Sequence, residues 1–421
     1  MAANNRRVII IGGSLAGLLA GNMFQRLGWQ VDVYERTPGV LEGRGAGITV
    51  LPGLVEGFRA AGVAESELGE TLGIDLPRRA ALDRAGNVLA QREFSQVMTS
   101  WSKLYELLKA VFPSQHYHRG KSAERIEQDA HRVTAVFADG SRASGDLLIG
   151  ADGLRSTVRA QFLPDLKPHY PGYIAWRCLA EEQDLSQRTR EEMFDRYTLC
   201  TPPGEQAIGY PVPGAEQSVA RGRRQYNVVW YHPVREDDLR DMQTDDAGRY
   251  HAGGIAPSLL RAQIKREMAT RAERLLAPQF AEAIQLAKLQ FFQPIVDLES
   301  PRVVFGRAVL VGDAAFVARP HTAMGVPKGA KDVIALVQAV QRGGDDFLGA
   351  LPAYEAERLR IASKIVARGR MLGAYMEAQL KSDAERAAAE AKRNPAEVMM
   401  ETAAPVDYEN WEMETPAAAR L

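Results

Sequence analysis

The sequence predicts an α/β protein: a parallel-sheet domain, a second sheet-rich domain inserted into it, and a C-terminal helical region. Residues 7–35 hold an apolar strand, a Gly-rich turn, a segment with helical apolar spacing and a second strand, which together make a βαβ unit. Between about 170 and 296, Tyr, Trp and Pro become frequent and strand-like pieces recur. From 350 to about 392, charges lie on one side of the helical period and Ala, Leu and Met on the other.

The βαβ unit is visible in the residue pattern. Arg7–Ile11 is apolar and rich in β-branched residues, and Gly12 breaks it. Apolar residues then recur at helical spacing across 15–27, and Gly28 follows in the usual place for a helix C-cap. Gln30–Tyr34 is the second strand. This order of elements indicates a Rossmann-type domain.

Changes in composition and periodicity along the sequence divide the chain into five segments. We predict a dinucleotide-binding domain in two parts, with a substrate-binding sheet domain between them, then helices and a loosely ordered polar tail. The predicted bounds are 1–169, 170–296, 297–345, 346–393 and 394–421, in that order.

Composition and charge argue against several classes of protein. The 421 residues include 52 Lys and Arg against 53 Asp and Glu, so neither nucleic acid nor an acidic membrane surface is expected as a partner. Cys178 and Cys200 are too few for a disulfide framework and lack metal-ligand spacing. The short polar N-terminus does not resemble a signal peptide, and no apolar run reaches the roughly 20 residues of a membrane span. We therefore expect a cytoplasmic, metal-free enzyme.

The turn after the first strand has the pattern of a dinucleotide site, because it links that strand to a helix and an acid follows about 20 residues later. Gly12 permits the tight turn, and Gly17 lets helix and strand pack closely. Backbone N–H groups near Ser14 and Leu15 point at a pyrophosphate, helped by the helix dipole. Glu35 ends the second strand, where its carboxylate can accept hydrogen bonds from the ribose hydroxyls of an adenosine.

The end of the second strand bears on the type of dinucleotide. An acid at Glu35 favours a free 2′-hydroxyl, as in FAD or NAD, over a 2′-phosphate. Arg36 follows it and is either a cofactor contact or a solvated surface charge.

Two later segments also lie at strand ends. Asp152 and Gly153 close one strand and enter a helix, which suits either a cofactor contact or an ordinary corner. Ala308–Val311 is an apolar strand that ends in Gly312-Asp313, far from the first turn. A second segment that binds the cofactor, so late in the chain, favours a flavin over a nicotinamide cofactor.

Together these three motifs resemble those of the single-component FAD-dependent aromatic hydroxylases, which share the p-hydroxybenzoate hydroxylase-like fold. The likeness covers about the first 375 residues. It implies a glutathione-reductase-like FAD-binding domain in which the first motif holds the ADP part, Asp152 lies near the flavin, and Asp313 bonds the ribityl hydroxyls. The further FAD contacts that it implies are Arg44, Gly45, Ala46, Gly47, Gly312, Pro320, Gly325 and Val326.

Within this family, the likeness is greatest to the subgroup of 2,6-dihydroxypyridine 3-hydroxylase. Four segments carry it: 43–48, 99–101, 172–177 and 318–323. Some positions depart from the wider family pattern. Trp101 stands where an Arg is usual, Ala323 replaces a Gly of the third motif, and Pro327 replaces its Asn.

The resemblance implies a monooxygenase of aromatic catabolism. NAD(P)H reduces FAD, O₂ adds at flavin C4a, and the hydroperoxide passes OH to an electron-rich hydroxylated ring, a hydroxypyridine or a phenol. The protein must exclude water, hold the ring and help to deprotonate a ring hydroxyl. NAD(P)H binds transiently in this family, so the lack of a second Gly-rich fingerprint is expected. A homodimer is implied as well.

The substrate pocket is expected between the inserted sheet and the flavin. The catalytic candidates are His321, Tyr210 and Tyr231, each of which has an ordinary packed-core alternative. The side chains expected to contact the substrate are Trp101, Tyr210, Trp230, Tyr231, His232, Arg319 and His321. Which residues of each strand face the pocket depends on a register that a single sequence does not fix.

Two other interpretations stay open. A flavin dehydrogenase, reductase or halogenase would keep the cofactor motifs, although the Trp-x-Trp-x-Ile-Pro pattern of halogenases is absent, since Arg177 and Cys178 follow Trp176. A flavin-binding regulatory protein would not need the full second and third motifs.

Overall fold

The computed structural model describes residues 6–39, 41 and 47–412, and these form two main sheets, helices around them and a C-terminal helical region. The strands are β1 (Arg7–Ile11), β2 (Gln30–Glu35), β3 (Gly47–Val50), β4 (Ile74–Leu82), β5 (Val88–Ser100), β6 (Tyr117–Arg119), β7 (Ala123–Gln128), β8 (Val133–Phe137), β9 (Arg142–Gly145), β10 (Leu147–Gly150), β11 (Tyr173–Glu181), β12 (Arg196–Cys200), β13 (Gln206–Val212), β14 (Gln225–Pro233), β15 (Leu289–Pro294), β16 (Leu298–Glu299), β17 (Val304–Phe305), β18 (Ala308–Leu310) and β19 (Phe316–Val317). The helices are α1 (Leu15–Arg26), α2 (Pro52–Ala60), α3 (Trp101–Ala110), α4 (Thr157–Phe162), α5 (Gln187–Met193), α6 (Glu236–Met242), α7 (Ala262–Leu275), α8 (Pro278–Gln285), α9 (Gly325–Gly343), α10 (Leu351–Ala378), α11 (Asp383–Ala391) and α12 (Pro395–Glu401). The predicted α/β fold class is confirmed.

The first sheet is mainly parallel and carries strands from both ends of the chain. Its order is β17-β18-β10-β1-β2-β6, and only the β17–β18 pair is antiparallel. Because parallel strands point the same way, their carboxyl ends bring Gly12, Glu35, Ala151 and Gly312 to one edge. The late strand β18 therefore rejoins the N-terminal unit, as the sequence predicts.

The second sheet draws on two separate stretches of chain. Its order is β15-β11-β14-β13-β12-β4-β5-β3, so strands from 47–100 pair with strands from 173–294. The connection is the parallel pairing of β12 with β4, in which Thr198 lies opposite Ala80. This differs from the predicted division at residue 170, which assigns 47–100 to the first domain.

The chain end also differs from the expectation of a loosely ordered tail at 394–421. Asn394 caps α12 by accepting from the Ala396 N–H at 3.0 Å, and Pro395 occupies its first turn. Met399 is fully buried, and Ala403 is 4% exposed. Apolar side chains in a polar segment hold it against the second sheet, so 394–412 is folded.

None of the helices in the described ranges is both long and apolar enough to cross a membrane.

Candidate functional site

Two connected cavities lie at the carboxyl edge of the first sheet. One, of about 200 Å³, lies beside the ends of β1 and β2, and we call it the narrow end. The other, of about 370 Å³, lies between the two sheets, and we call it the wide end. Ser14, Trp101, Ala151 and Gly153 line both cavities, so the two form one elongated cleft.

The Gly-rich turn borders the cleft where its two ends meet. Gly12 has φ +105°, and a Cβ there would lie 2.3 Å from the Ala151 carbonyl oxygen. A Cβ at Gly17 would lie 1.8 Å from the Gly12 carbonyl oxygen, so only glycine permits this contact of helix and strand. Helix α1 begins after Ser14 with no acidic residue in its first turn. Its N–H groups therefore offer the cleft an anion site.

Glu35 braces this turn from the neighbouring strand. One carboxylate oxygen accepts from the Gly13 N–H at 2.9 Å, and the other from the Thr37 N–H at 2.8 Å. Glu35 is buried, yet it lines the narrow end, where each oxygen keeps a further acceptor site. Arg36 is exposed and lines the same end, where it is available to an anionic ligand.

Asp152 connects the second motif to a helix N-terminus. One carboxylate oxygen accepts from the Thr157 N–H at 2.7 Å, while the other is buried without a partner among the described residues. Burial raises the pKa of this carboxyl group. Arg159 then donates to the Ala314 carbonyl at 2.8 Å, which ties the second motif to the third.

The third motif turns sharply after β18. Gly312 has φ +62°, and its N–H donates to Asp332 at 2.9 Å. Asp332 also accepts from Arg358 at 2.8 Å, so a buried ion pair on α9 and α10 fixes the turn. Asp313 follows with its side chain open to the wide end. Its position deep in the molecule raises the pKa of this carboxyl group, and the positive charge of Lys328 opposes that rise.

Helix α9 presents its N-terminus to the wide end. Gly325 and Val326 line the cavity there, and a Cβ at Gly325 would meet nothing within 4 Å. Pro320 and Ala323 line it just before the helix. Ala323 has φ +54°, a left-handed conformation that explains why the family pattern favours glycine at this position.

The wide end has an aromatic wall from the second sheet. Tyr197, Tyr210 and Tyr231 line it, and the first two rings stack with centroids 5.3 Å apart. The Tyr210 hydroxyl donates to the Gly47 carbonyl at 3.0 Å, and burial raises its pKa to about 12. Such a wall suits a planar ring.

Arg177 is the cation of this wall. It lies on β11, lines the wide end, and donates to Gln293 at 3.3 Å. Within the described ranges no carboxylate lies within 4.0 Å of its guanidinium, whereas Arg319 and Arg224 each pair with one. The wide end therefore combines flat aromatic surfaces with one accessible positive charge.

Comparison with proteins of known activity identifies the family of this chain. Over 362 residues, 86% of this chain and 89% of the relative, the chain is 31% identical to 2,6-dihydroxypyridine 3-monooxygenase from Paenarthrobacter nicotinovorans. The chain belongs to the FAD-dependent aromatic hydroxylases. It is also 29% identical over 377 residues to FAD-dependent urate hydroxylase from Klebsiella pneumoniae, covering 86% of this chain and 88% of that one.

Fold comparison agrees with this membership. The structure of 2,6-dihydroxypyridine-3-hydroxylase from Arthrobacter nicotinovorans matches with a TM-score of 0.83 and 28% identity, over 89% of this enzyme and 94% of that chain. A family model described as FAD binding domain-like matches residues 170–297. The enzyme is thus an FAD-dependent monooxygenase that uses NAD(P)H and O₂, and these relatives favour that interpretation over a non-hydroxylating or regulatory flavoprotein.

The cleft of the enzyme fits FAD on three observations. Gly325 lines the wide end and a Cβ there would meet nothing within 4 Å, so the cavity is open to a ligand at this point. The N-terminus of α1 offers N–H groups where the two ends of the cleft meet, the N-terminus of α9 offers them at the wide end, and neither helix carries an acidic residue in its first turn. Asp152 keeps a buried carboxylate oxygen without a partner in the described part of the chain. An elongated, hydroxyl-rich dinucleotide meets these demands.

Several predicted substrate residues lie elsewhere. Trp230 donates to Glu205 at 2.7 Å in the core behind the sheet, and His232 lies 3.1 Å from the same carboxylate. Strand alternation explains both, since their neighbour Tyr231 faces the wide end. Arg319 is 1% exposed and donates to Asp297 at 2.8 Å, so it is a structural ion pair away from the cleft wall.

His321 is also set back from the cleft. It is 1% exposed, its Nε2 lies 3.0 Å from the Tyr173 hydroxyl, and its ring packs against Tyr231 with centroids 4.2 Å apart. Burial first, and then the charges of Arg319 and Arg177, lower its pKa to about 3. His321 is therefore neutral at ordinary pH and supports Tyr231 from behind.

The remaining predicted residues divide in two groups. Trp101 lines both ends of the cleft and stacks on Tyr105, with centroids 5.1 Å apart. Gly47 lines the wide end. Arg44, Gly45 and Ala46 lie outside the described residues.

Sequence reasoning missed several wall residues. Arg177 belongs to the segment that resembles the subgroup. Every second residue of a strand faces the same side, so Arg177 shares a face of β11 with Tyr173 and Ala175, which belong to the core on the cavity side. That spacing is the signal that could have identified it. Thr402 and Ala403, from the supposed tail, also line the wide end. Nothing in their local sequence marks them as wall residues.

Proposed function

We propose that this enzyme hydroxylates a small hydroxylated ring, a hydroxypyridine in preference to a phenol, which binds at the wide end as its anion. The observation that carries the proposal is Arg177, a cation without a carboxylate partner in the described ranges, set in a wall of tyrosines. The similarity to 2,6-dihydroxypyridine 3-monooxygenase supports a nitrogen-containing ring.

The cleft would hold FAD along its length. The adenosine would lie at the narrow end against Glu35 and Arg36, the pyrophosphate at α1, and the ribityl chain at Asp313. The residues that we propose as FAD contacts are Gly12, Ser14, Leu15, Gly17, Glu35, Arg36, Arg44, Gly45, Ala46, Gly47, Asp152, Gly312, Asp313, Pro320, Gly325 and Val326. When bound, FAD would accept electrons from NAD(P)H and activate O₂, from which one oxygen atom is transferred to the ring.

Arg177 would act on the ring itself. Opposite charges about 4 Å apart interact by about 4 kcal/mol at the effective dielectric typical of protein surfaces, and residual water in the cavity reduces this. That attraction shifts a ring hydroxyl toward its anion. An ionised hydroxyl makes the ring carbon more nucleophilic, which is what oxygen transfer to the ring requires.

The tyrosines would position the ring. Tyr231 has no hydrogen-bond partner for its hydroxyl in the described part of the chain, so it is available to a substrate oxygen or nitrogen, while Tyr210 is held by Gly47. We retain Tyr210 and Tyr231 as the candidates for proton handling at the ring. His321 supports Tyr231 instead of meeting the substrate. Trp101, which lines both ends of the cleft, would contact the bound flavin or the ring.

A homodimer and a cytoplasmic location complete the proposal. Size-exclusion chromatography with light scattering tests the first, and fractionation of the source cells tests the second.

A panel of rings tests the substrate class. Purified enzyme with FAD is offered hydroxypyridines and phenols matched in size, with NADH and NADPH in turn, while O₂ uptake, peroxide and product mass are recorded. We expect a hydroxypyridine to speed NAD(P)H oxidation and to gain one oxygen atom. Faster turnover of phenols would reverse the ring preference. Peroxide alone with every ring would favour a non-hydroxylating flavin oxidoreductase.

A further inference from the structure

The C-terminal segment forms part of the wide end of the cleft. Thr402 and Ala403, just after α12, line the cavity that Tyr197 and Tyr231 also line. Met399, on α12, is fully buried in the same apolar cluster as those tyrosines. The chain thus returns, after some 50 residues of helical region, to complete a wall begun by the second sheet.

Arg79 holds this segment in place. It lies on β4, is fully buried, and donates to the carbonyls of Met399 at 2.8 Å and Thr402 at 2.6 Å. A weaker bond reaches Ala403 at 3.4 Å. On its other side, Gln96 accepts from Arg79 at 2.6 Å. These carbonyls form the C-terminal end of α12, where a positive charge is favourable.

Arg79 also depends on the C-terminal segment. No carboxylate in the described ranges lies within 4.0 Å of Arg79, so the carbonyls of the C-terminal segment supply most of the polar contacts of a fully buried guanidinium. A buried charge without such contacts is strongly unfavourable. The guanidinium also lies 4.9 Å from the ring centre of Tyr197, which lines the cleft. Arg79 therefore links the segment to the aromatic wall.

A second contact links the segment to the third motif. The Ala403 N–H donates to the His321 carbonyl at 2.8 Å, next to Pro320 and Ala323 in the cavity wall. Ala403 has φ +53°, so its surroundings hold it in a conformation that an alanine alone disfavours. The position is therefore specified by contacts with the cleft.

We infer that Thr402 and Ala403, at the end of the segment 394–403, are a specificity-determining wall of the substrate cavity, and that Arg79 is the residue that positions this wall. This inference rests on the proposed function, because its wall closes the end of the cleft where the ring would bind. The wall excludes water from that end and limits the size of the ring. Without this wall, water would enter the cavity, and electrons from NAD(P)H would reduce O₂ to peroxide instead of supporting oxygen transfer to the ring.

Arg79→Met in the full-length holoenzyme tests the positioning role. Met keeps an unbranched apolar stem and removes the donors. We expect collisional quenching of bound-flavin fluorescence by iodide to rise several-fold, and the fraction of NAD(P)H that yields peroxide to rise with it. Arg79→Lys should restore part of both. Arg78→Met is the matched control, because the neighbouring Arg78 pairs with Asp195 outside the cleft.

Ala403→Gly provides an independent test should Arg79→Met not fold, because glycine adopts φ +53° without strain. It removes one methyl group from the wall, so the kcat/KM ratio of a methyl-substituted ring to its parent should rise several-fold. Wild-type quenching in flavin-loaded Arg79→Met, or an unchanged ratio in Ala403→Gly, would overturn the inference. Iodide quenching needs no substrate, so it tests whether the wall shields the flavin even if no ring in the panel is hydroxylated.

Discussion

Asp313 and Arg177 place opposite charges on one cavity, and each charge has a separate task in this account. Asp313 lies where the first sheet ends and would accept from the hydroxyls of the cofactor chain. Arg177 comes from the second sheet and would meet an anionic ring. A carboxylate only accepts hydrogen bonds and a guanidinium only donates them, so the hydroxyls of the cofactor would bind at Asp313 and the anionic ring at Arg177.

Asp313→Ala should weaken FAD binding without unfolding the enzyme, because the side chain faces the cavity and not the core. Loss of hydrogen bonds to a charged group costs about 1.5–3 kcal/mol, or about 10–100-fold in the Kd for FAD. Titration of the apoenzyme with FAD measures this. Asp237→Ala, on the exposed face of α6, is the control, and equal affinities of the two variants would contradict the role of Asp313.

His321 makes stability depend on pH. Its pKa falls to about 3 in the folded state, so between that value and its ordinary 6.5 the unfolded chain binds a proton that the folded chain does not. Stability is therefore lost as pH falls below 6.5, by about 2 kcal/mol on reaching pH 5. Urea unfolding at both pH values measures it. His321→Gln should remove this part of the slope, while His131→Gln at the surface should keep it.

At the scale of elements, the sequence predicts strands better than it predicts their faces. The Gly-rich turn, Glu35 and Gly312-Asp313 were predictable because each follows a strand in a short, local pattern. On β14, Tyr231 faces the cleft, but Trp230 and His232 face a buried carboxylate behind the sheet. That choice is made by pairing with distant strands, which local composition does not reveal.

Strand alternation on β11 gives a prediction for Arg177. Arg177→Met should raise the KM for the hydroxylated ring about 10–100-fold, because one charge-assisted hydrogen bond is lost. Flavin content should stay unchanged. Steady-state kinetics at saturating NAD(P)H measures the effect, and Arg188→Met, on the exposed side of α5, should match the wild type. A variant with unchanged KM would remove Arg177 from the substrate site.

At the scale of the whole molecule, the cleft is a product of long-range assembly. The first sheet unites strands that are some 300 residues apart, and the second unites 47–100 with 173–294. The motif spacing indicates the first union, since the Gly-rich turn and Gly312-Asp313 suit one cofactor. Nothing comparable marks the pairing of β4 with β12 or the return of 394–403 to the cavity. Those contacts depend on apolar burial and on Arg79, whose partners are backbone carbonyls that carry no sequence signature.

One cleft would bring FAD and a hydroxylated ring together for oxygen transfer. Turnover under ¹⁸O₂, with the best hydroxypyridine of the panel and NAD(P)H, tests this oxygen transfer through the mass of the product. We expect one labelled oxygen atom in each product molecule and consumption of NAD(P)H, O₂ and ring in equal amounts. Label found only in peroxide or water, with the ring unchanged, would contradict it.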